Sequence, residues 1–131
     1  HKLGGKPMDG LYATMTVQHP YLDEASQPIR FWANKYKTKF NEDPTVFSVY
    51  GYTIITSFAT AAGRAVKNLT TDSFIKVMDN LTIEPDFFGG AVQTFSATKR
   101  LGSDASRLSQ IVDGKWKTVS DYFGSTATAK K

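Results

Sequence analysis

The sequence predicts a chain of the α/β class in which the helices outnumber the strands they should cover. Three stretches in the middle of the chain have apolar residues at helical spacing. A strand-like stretch precedes them, and a hairpin signal follows near the end. Helices of an α/β protein normally cover a parallel sheet of several strands, and this sequence supplies too few. It is therefore either an unusual small α+β domain or a part of something larger.

The first strand is predicted early in the chain. Residues 1–10 are rich in glycine and lysine and are predicted to be irregular. The stretch 11–17, LYATMTV, is β-branched and aromatic and follows Gly10, which predicts a strand. A loop comes next, in which Ser26 is a candidate helix N-cap and Pro28 takes an early helical position that proline tolerates.

The first helix is predicted over residues 28–40. Its apolar residues recur at intervals of three and four, so most of them share one face. Asn41 suits the position just after a helix, and Pro44 bars continuation. The apolar members are Ile29, Phe31, Trp32, Ala33, Tyr36 and Phe40.

The second helix is predicted from about residue 45 to residue 68. Gly51 and Gly63 lower its helix propensity, which indicates that its backbone approaches a neighbouring element closely. Small residues in the second half favour the same close approach. The apolar stripe consists of Phe47, Tyr50, Ile54, Phe58, Ala61, Ala62, Ala65 and Leu69.

A third, shorter helix is predicted over residues 70–81. Thr70 or Thr71 can cap it, and Asp72 favours the positive end of its dipole. Residues 91–95 alternate between apolar and polar side chains and predict a short strand. The side chains expected to face inward from the helix are Phe74, Ile75, Met78 and Leu81.

The stretch 111–119, IVDGKWKTV, predicts a tight β-hairpin. Its two alternating runs flank Asp113-Gly114, a dipeptide that tolerates the positive φ angles of a type I′ turn. An isolated two-stranded hairpin is marginal in water. No stretch nearby in the sequence offers it a third strand of equal quality. The tail, 124–131, is predicted to be disordered.

Composition excludes several kinds of site. The 131 residues include no cysteine, so disulfides, thiolate metal sites and a cysteine nucleophile are excluded. The net charge of +4 is mild and lacks an arginine-rich or aromatic-interleaved stripe, so nucleic acid is not expected as a partner. No apolar run approaches the ~20 residues of a membrane span. No signal peptide is visible, so in an exported protein it would have been removed.

Catalytic signals are weak. His1 and His19 are the only histidines, and no second histidine lies near enough in sequence to suggest a metal pair. The adjacent carboxylates at 23–24 and 42–43 flank helix ends, where dipole and solvation roles explain them better than acid–base catalysis. No phosphate-binding or nucleophile motif is present. We therefore expect no enzyme, no catalytic residues, no metal and no cofactor.

Two groups of residues are candidates for contact with a ligand. His19 follows the first strand, where α/β proteins bind ligands, although a loop histidine satisfied by water fits the same position. Phe47, Tyr50 and Tyr52 cluster at the start of the second helix. Aromatic residues there could wall an apolar pocket beside free backbone N–H groups. For Phe47 and Tyr50 taken singly, a place in the core is the favoured interpretation.

The order of these elements resembles a known family. A glycine-aromatic strand is followed by the helix end ANKYKTKFNEDPT, the helix start VYGYTI, the segment FFGGAVQTFSATKRLGSD and the hairpin QIVDGKWKTV. Over about residues 9–123 this succession resembles the C-terminal part of type I periplasmic binding proteins. These are the substrate-binding subunits of branched-chain amino acid (Leu/Ile/Val-type) ABC transporters. The chain departs from the pattern at Thr53, where the family often has aspartate.

The resemblance implies a two-lobed fold. Family members have two Rossmann-like α/β lobes joined by a three-segment hinge, and they are usually more than twice as long as this chain. The chain would then lack the N-terminal strands that its helices should cover, and the sheet of its hairpin would precede residue 1. The implied division is 1–17 leader and hinge-crossing strand, 18–98 C-terminal helical part of the first lobe, 99–123 second-lobe hairpin and 124–131 tail.

The resemblance also implies a function. The protein would be a periplasmic (extracytoplasmic) solute-binding component of an ABC transporter. It would bind an amino acid or an aromatic or branched carboxylate and deliver it to a membrane permease. Candidate ligand contacts in this segment are Gln18, His19, Phe47 and Tyr50. The alternative is a ligand-sensing domain of a receptor or regulator with the same fold. Alone, the segment is expected to associate with its missing N-terminal part or with itself.

Overall fold

The computed structural model describes residues 4–124, which form a mixed α/β structure. This confirms the predicted fold class and the three helices. The predicted tail, 124–131, lies outside the described residues except for Gly124. The helices are α1 (Gln27–Phe40), α2 (Val46–Arg64) and α3 (Thr71–Met78), and the strands are β1 (Tyr12–Met15), β2 (Thr82–Ile83), β3 (Gln93–Thr94), β4 (Arg107–Val112) and β5 (Lys115–Thr118).

The ends of α1 follow the local signals in the sequence. Ser26 is its N-cap residue in an extended conformation, although its side chain makes no capping hydrogen bond. Asn41 ends the helix at φ 53°, the left-handed conformation that asparagine tolerates. Its backbone N–H donates to the carbonyl oxygen of Lys37 at 2.8 Å. The predicted stop before Pro44 is therefore confirmed.

Helix α2 is shorter than the predicted 45–68. It begins after Thr45, whose hydroxyl oxygen accepts a hydrogen bond from the N–H of Phe47 at 3.2 Å. It ends at Arg64, and a separate 3₁₀ turn covers Val66–Asn68. Tightening of the last turn into 3₁₀ geometry is common at helix ends.

The predicted hairpin is present with the predicted turn. β4 and β5 pair in antiparallel register with Ile111 opposite Trp116. Asp113 and Gly114 both have positive φ, at 51° and 73°. Two successive positive φ values are the signature of the type I′ turn that an Asp-Gly pair favours.

The hairpin does have a third strand within this chain, which corrects the expectation that its sheet lies wholly before residue 1. β1 pairs with β4 in antiparallel register, with Tyr12 opposite Gln110, and the sheet order is β1-β4-β5. Three strands with a buried face are more stable than an isolated hairpin. The sequence did not reveal this pairing because the two strands are far apart along the chain. A second, two-stranded sheet joins β2 to β3.

Gly114→Ala is expected to lower the free energy of unfolding by about 1–2 kcal/mol, because a Cβ is disfavoured at positive φ. Gly63→Ala is the matched control, since Gly63 lies inside α2 and an added Cβ would meet nothing within 4 Å. The close approach of a neighbouring element predicted at Gly51 and Gly63 is thus absent among the described residues. This control should be neutral or stabilising by about 0.5–1 kcal/mol. Urea denaturation followed by circular dichroism measures both. A neutral Gly114→Ala would contradict the strained turn.

The core joins the end of β1 to the helices. Val17, Ile29, Val49 and Phe88 form a buried cluster. The aromatic residues packed against this cluster are Trp32, Tyr50 and Tyr52. Phe88 is fully buried although it lies outside the helices and strands. Its ring makes edge contacts with Trp32 at 5.0 Å and with Tyr52 at 5.8 Å between centroids.

The predicted apolar stripe of α2 is largely uncovered. The helix buries Val49 and Ala61, whereas Phe47 is 77% exposed, Ile54 66% and Phe58 57%. Neighbouring Ile55 is as exposed as Ile54. Exposed apolar surface on this scale is unusual for a soluble monomer and marks a contact surface. We call the side chains of Phe47, Ile54, Ile55 and Phe58 the α2 face.

Candidate functional site

Three segments that are distant in sequence meet where β1 ends. The N–H of Gln18 donates to the carbonyl oxygen of Phe88 at 3.0 Å. The Tyr122 hydroxyl lies 2.7 Å from the carbonyl oxygen of Thr16 and 2.6 Å from that of Gly89. Backbone bonds between Ser106 and Phe123, at 2.8 and 2.9 Å, hold the segment that carries Tyr122. We call this meeting of residues 16–18, 88–90 and 122–123 the junction.

A cleft of about 530 Å³ opens beside the junction, between α2 and residues 83–105. Its helix wall is rich in hydroxyl groups, and Glu84 and Asp86 lie on the opposite wall. The Tyr50 hydroxyl is 3.1 Å from Thr16 Oγ1. Thr53 Oγ1 is buried without a hydrogen-bond partner among the described residues. The hydroxyl side chains that line the cleft from α2 are Tyr50, Tyr52, Thr53, Thr56, Ser57 and Thr60.

A second, smaller pocket of about 200 Å³ lies against the sheet β1-β4-β5. Gln18 and His19 line it, together with Glu24, Trp116 and Lys117. Its lining therefore combines an amide, an imidazole, a carboxylate, an ammonium group and an indole. We call it the sheet pocket.

Contacts with Tyr21 fix the position of His19. The two rings stack with centroids 4.2 Å apart. The Tyr21 hydroxyl accepts a hydrogen bond from the Trp116 N–H at 2.8 Å, which ties the loop to β5. Burial raises the pKa of Tyr21 and keeps its hydroxyl protonated. Lys115 Nζ lies 2.5 Å from an Asp23 carboxylate oxygen, and this exposed ion pair also joins the loop to β5.

His19 is held in its neutral form. Burial lowers the pKa of its imidazole, and the nearby Glu24 carboxylate opposes that shift. Its Nδ1 is buried and has no hydrogen-bond partner among residues 4–124. A neutral imidazole can donate one hydrogen bond and accept another, so His19 can offer either to a polar group in the sheet pocket.

Acidification is expected to destabilise the protein through His19. The folded-state pKa lies below the ordinary value of 6.5, so the unfolded state takes up the proton first as the pH falls. The contribution of His19 to the free energy of unfolding is complete above pH 6.5 and is lost as the pH falls toward its folded-state pKa. Thermal unfolding at pH 7 and at pH 5 should therefore show a larger loss in the wild type than in His19→Gln. Equal losses in the two proteins would contradict a lowered pKa.

The predicted ligand residues fall in two places. Gln18 and His19 line the sheet pocket, whereas Tyr50 lines the cleft beside α2. Phe47 lies 6.0 Å from the Tyr50 ring between centroids, but it lines neither cavity and is largely exposed. The structure thus joins these residues in pairs and does not bring all four to one pocket. Their role in ligand binding stays a prediction.

Sequence reasoning missed the residues of the junction. Thr16 and Tyr122 are 106 positions apart, and no local pattern links them. Tyr122 was included only as part of the stretch before the tail. Arg107, whose guanidinium lies 4.9 Å over the Tyr122 ring, precedes the predicted hairpin, and no sequence signal singled it out. A buried arginine next to a carbonyl-bonded tyrosine becomes visible only in three dimensions.

Within residues 4–124, no group of three or more histidine, aspartate or glutamate residues is placed to hold a metal ion. In the same part of the chain, no helix has the length and apolar character needed to cross a membrane.

The sequence of residues 1–115 matches the profile of a protein family described as periplasmic binding protein. The chain belongs to the periplasmic binding protein family. This confirms the resemblance stated from the sequence motifs. It also supports, at the level of the family, a binding role in place of a catalytic one. Among curated proteins, none matches the chain closely enough to count as a relative.

Solved structures confirm the fold of this periplasmic binding protein chain. One is a branched-chain amino acid ABC transporter protein from Thermus thermophilus with bound valine. It is 16% identical, with a TM-score of 0.70 over 96% of this chain and 36% of that one. Another is an extracellular ligand-binding receptor from Rhodopseudomonas palustris HaA2. It is 20% identical, with a TM-score of 0.62 over 90% of this chain and 36% of that one.

A third solved structure, a protein of Rhodopseudomonas palustris strain CGA009, also has a similar fold over most of this chain. It is 17% identical, with a TM-score of 0.58 over 91% of this chain and 37% of that one. The chain therefore spans little more than a third of the length of the structures it matches. At these identities the likeness establishes the fold and leaves the ligand open.

Proposed function

We propose that this chain is the C-terminal part of an extracytoplasmic solute-binding component of an ABC transporter. The observation that carries the proposal is the family match over residues 1–115. The superposition on the Thermus thermophilus transporter protein covers 96% of this chain and only 36% of that one. These proportions fit a chain that is one part of a larger, two-lobed molecule. The whole protein would trap a solute between its lobes and present it to a membrane permease.

The junction supports the proposed division into lobes. The leader and hinge strand would end at residue 17, and the first-lobe helices would occupy 18–98. With the hinge strand ending at residue 17 and a return crossing proposed near residues 91–98, the contact of Gln18 with Phe88 lies next to both crossings between the lobes. The segment 99–123 would belong to the second lobe, and it carries the hairpin β4–β5.

The α2 face supports the view that a further segment packs on the helices. Helices of α/β proteins bury their apolar side against a parallel sheet. Among the described residues no strand covers Phe47, Ile54 or Phe58, which are all exposed. We propose that strands preceding residue 1 in the full-length protein cover this face.

The solute is proposed to be an amino acid or an aromatic or branched carboxylate. The Thermus thermophilus protein contains bound valine, and the aromatic residues at the start of α2 suit an apolar side chain. Gln18, His19, Phe47 and Tyr50 are the proposed contributors from this chain. Most contacts to the charged groups of the solute would come from the part that precedes residue 1.

A thermal-shift screen of the full-length protein tests this function. The probes are L-valine, L-leucine, L-phenylalanine and benzoate. A solute present at 100 times its dissociation constant adds about 2.7 kcal/mol, which raises the melting temperature by several degrees. Glycerol and a neutral sugar at the same concentration are the controls. Equal melting temperatures with all probes and controls would contradict the proposed solute class.

The second candidate function is a ligand-sensing domain. The observation that favours it is the likeness to a solved structure described as an extracellular ligand-binding receptor. Both functions require solute binding, so the screen above does not separate them. Intact mass spectrometry of the purified full-length protein separates them, because a sensing protein would carry a membrane or signalling segment after residue 123.

A further inference from the structure

Tyr122 contacts both of the other chain segments that meet at the junction. The Tyr122 hydroxyl lies within 2.7 Å of the Thr16 carbonyl oxygen and within 2.6 Å of the Gly89 carbonyl oxygen. A hydroxyl has one proton to donate, so the two carbonyl oxygens share one donor. Burial raises the pKa of Tyr122, which keeps that proton in place at neutral pH. Both segments are thus tied to the same group.

Arg107 holds the tyrosine ring in position. Its side chain is 8% exposed, and its guanidinium carbon lies 4.9 Å from the centroid of the Tyr122 ring. The distance fits a cation–π contact, which gains strength when it is shielded from water. Arg107 Nη2 also lies 3.5 Å from the carbonyl oxygen of Phe88, the residue that accepts from Gln18.

Gly89 leaves room for this arrangement. Its φ of 65° is a left-handed conformation, and a Cβ at this position would lie 3.3 Å from Arg107 Nη2. Both features favour glycine. The backbone at residue 89, the guanidinium and the tyrosine ring are therefore packed against one another, and a change in one of them displaces the others.

We propose that Tyr122 is a positioning residue for closure of the two lobes, which sets the affinity for the solute without touching it. The inference rests on the proposed function, in which residues 10–17 and residues near 91–98 cross between the lobes. Tyr122 lies in the proposed second-lobe segment and bonds to Thr16 in the first crossing and to Gly89, two residues before the second crossing. It therefore limits how far the crossings move apart before the solute binds.

The effect on affinity follows from conformational entropy. A looser hinge gives the solute-free protein more open arrangements, and binding must then restrict more of them. Removing the Tyr122 hydroxyl while keeping the ring leaves the packing against Arg107 in place. The loss of one partly buried hydrogen bond should therefore raise the dissociation constant of the solute by about fivefold.

The test compares Tyr122→Phe with Tyr36→Phe in the full-length protein. Tyr36 is a matched control because its hydroxyl also makes one hydrogen bond, to Glu42 at 2.8 Å, on an exposed surface. Small-angle X-ray scattering measures the solute-free radius of gyration, and calorimetry with L-valine measures the dissociation constant. Tyr122→Phe should increase both, and Tyr36→Phe should leave both at the wild-type value.

A second pair of variants distinguishes an effect on the hinge from a loss of stability. Gly89→Ala pushes the guanidinium away from its position, whereas Gly63→Ala adds a methyl group that meets nothing within 4 Å. Gly89→Ala should shift the radius of gyration in the same direction as Tyr122→Phe. A lower melting temperature with an unchanged radius and unchanged valine affinity in both junction variants would overturn the inference and leave only a structural role.

Failure of the proposed function gives a different pattern. If the wild type binds neither valine nor the other solutes, the proposed function fails, and the scattering comparison alone then decides the role of Tyr122. An equal radius of gyration in the wild type and in Tyr122→Phe overturns that role. If the wild type binds solute and the variants bind equally well, the proposed function stands and the inference about Tyr122 falls.

Discussion

Phe88→Ala is expected to lower the free energy of unfolding of the full-length protein by about 3–5 kcal/mol, the range for truncation of a buried phenylalanine. Phe88 is fully buried between α1, α2 and the end of β1. Its ring contacts those of Trp32 and Tyr52, so the truncation leaves a cavity lined by aromatic residues. Urea denaturation followed by tryptophan fluorescence measures the loss.

Phe87→Ala is the matched control for this change. The two phenylalanines are adjacent, but Phe87 is 37% exposed and contacts Tyr52 from the surface. Its truncation should cost about 1 kcal/mol, as is typical of a partly exposed side chain. Equal losses for the two variants would show that Phe88 does not form the centre of this core.

The isolated chain of 131 residues is expected to self-associate through the α2 face. Removing one large apolar side chain from water contributes about 1.5–3 kcal/mol. The double substitution Ile54→Ser and Phe58→Ser should therefore weaken the association by at least about tenfold. Sedimentation velocity over a range of concentrations measures the shift from oligomer to monomer.

Phe31→Ser is the control for surface hydrophobicity in general. Phe31 is 71% exposed on α1 and lies outside the α2 face. Its replacement should leave the association within about twofold of the wild type, because a single exposed apolar residue is ordinary on a protein surface. If the unmodified chain sediments as a cooperatively folded monomer, the α2 face needs no cover, and the proposal of a missing sheet fails.

Local signals in the sequence predicted much of the fold. Pro28 and Asn41 bracket α1 within a residue of its observed bounds, because proline and asparagine act through their own backbone conformations. Asp113-Gly114 likewise predicted its turn. These residues need no distant partner to do so, and the resemblance to periplasmic binding proteins rested on the order of such signals.

Features that depend on distant contacts could not be predicted in the same way. The pairing of β1 with β4 joins Tyr12 to Gln110, and no pattern within either strand specifies the other. Phe88 lies in a segment rich in glycine and aromatic residues, which reads as a loop although it supplies the core. The apolar spacing of α2 predicted a buried stripe, but most of this stripe is exposed among the described residues.

The candidate site shows the same division. His19 follows β1 and lines the sheet pocket, and its contact with a ligand stays a prediction. The link between Phe47 and Tyr50 also followed from helical spacing, and their rings are in contact. Tertiary structure places His19 in the sheet pocket, Tyr50 in the cleft and Phe47 on the surface. It also creates the contacts of Tyr122 at the junction.

The most direct test is isothermal titration calorimetry of L-valine, L-leucine and L-phenylalanine against both the full-length protein and the isolated chain. The full-length protein is expected to bind one of these amino acids with a stoichiometry of about one, because the two lobes enclose one site. The isolated chain should release no binding heat, because it holds only part of that site. Binding by the isolated chain, or no binding of any of the three by the full-length protein, would contradict the account.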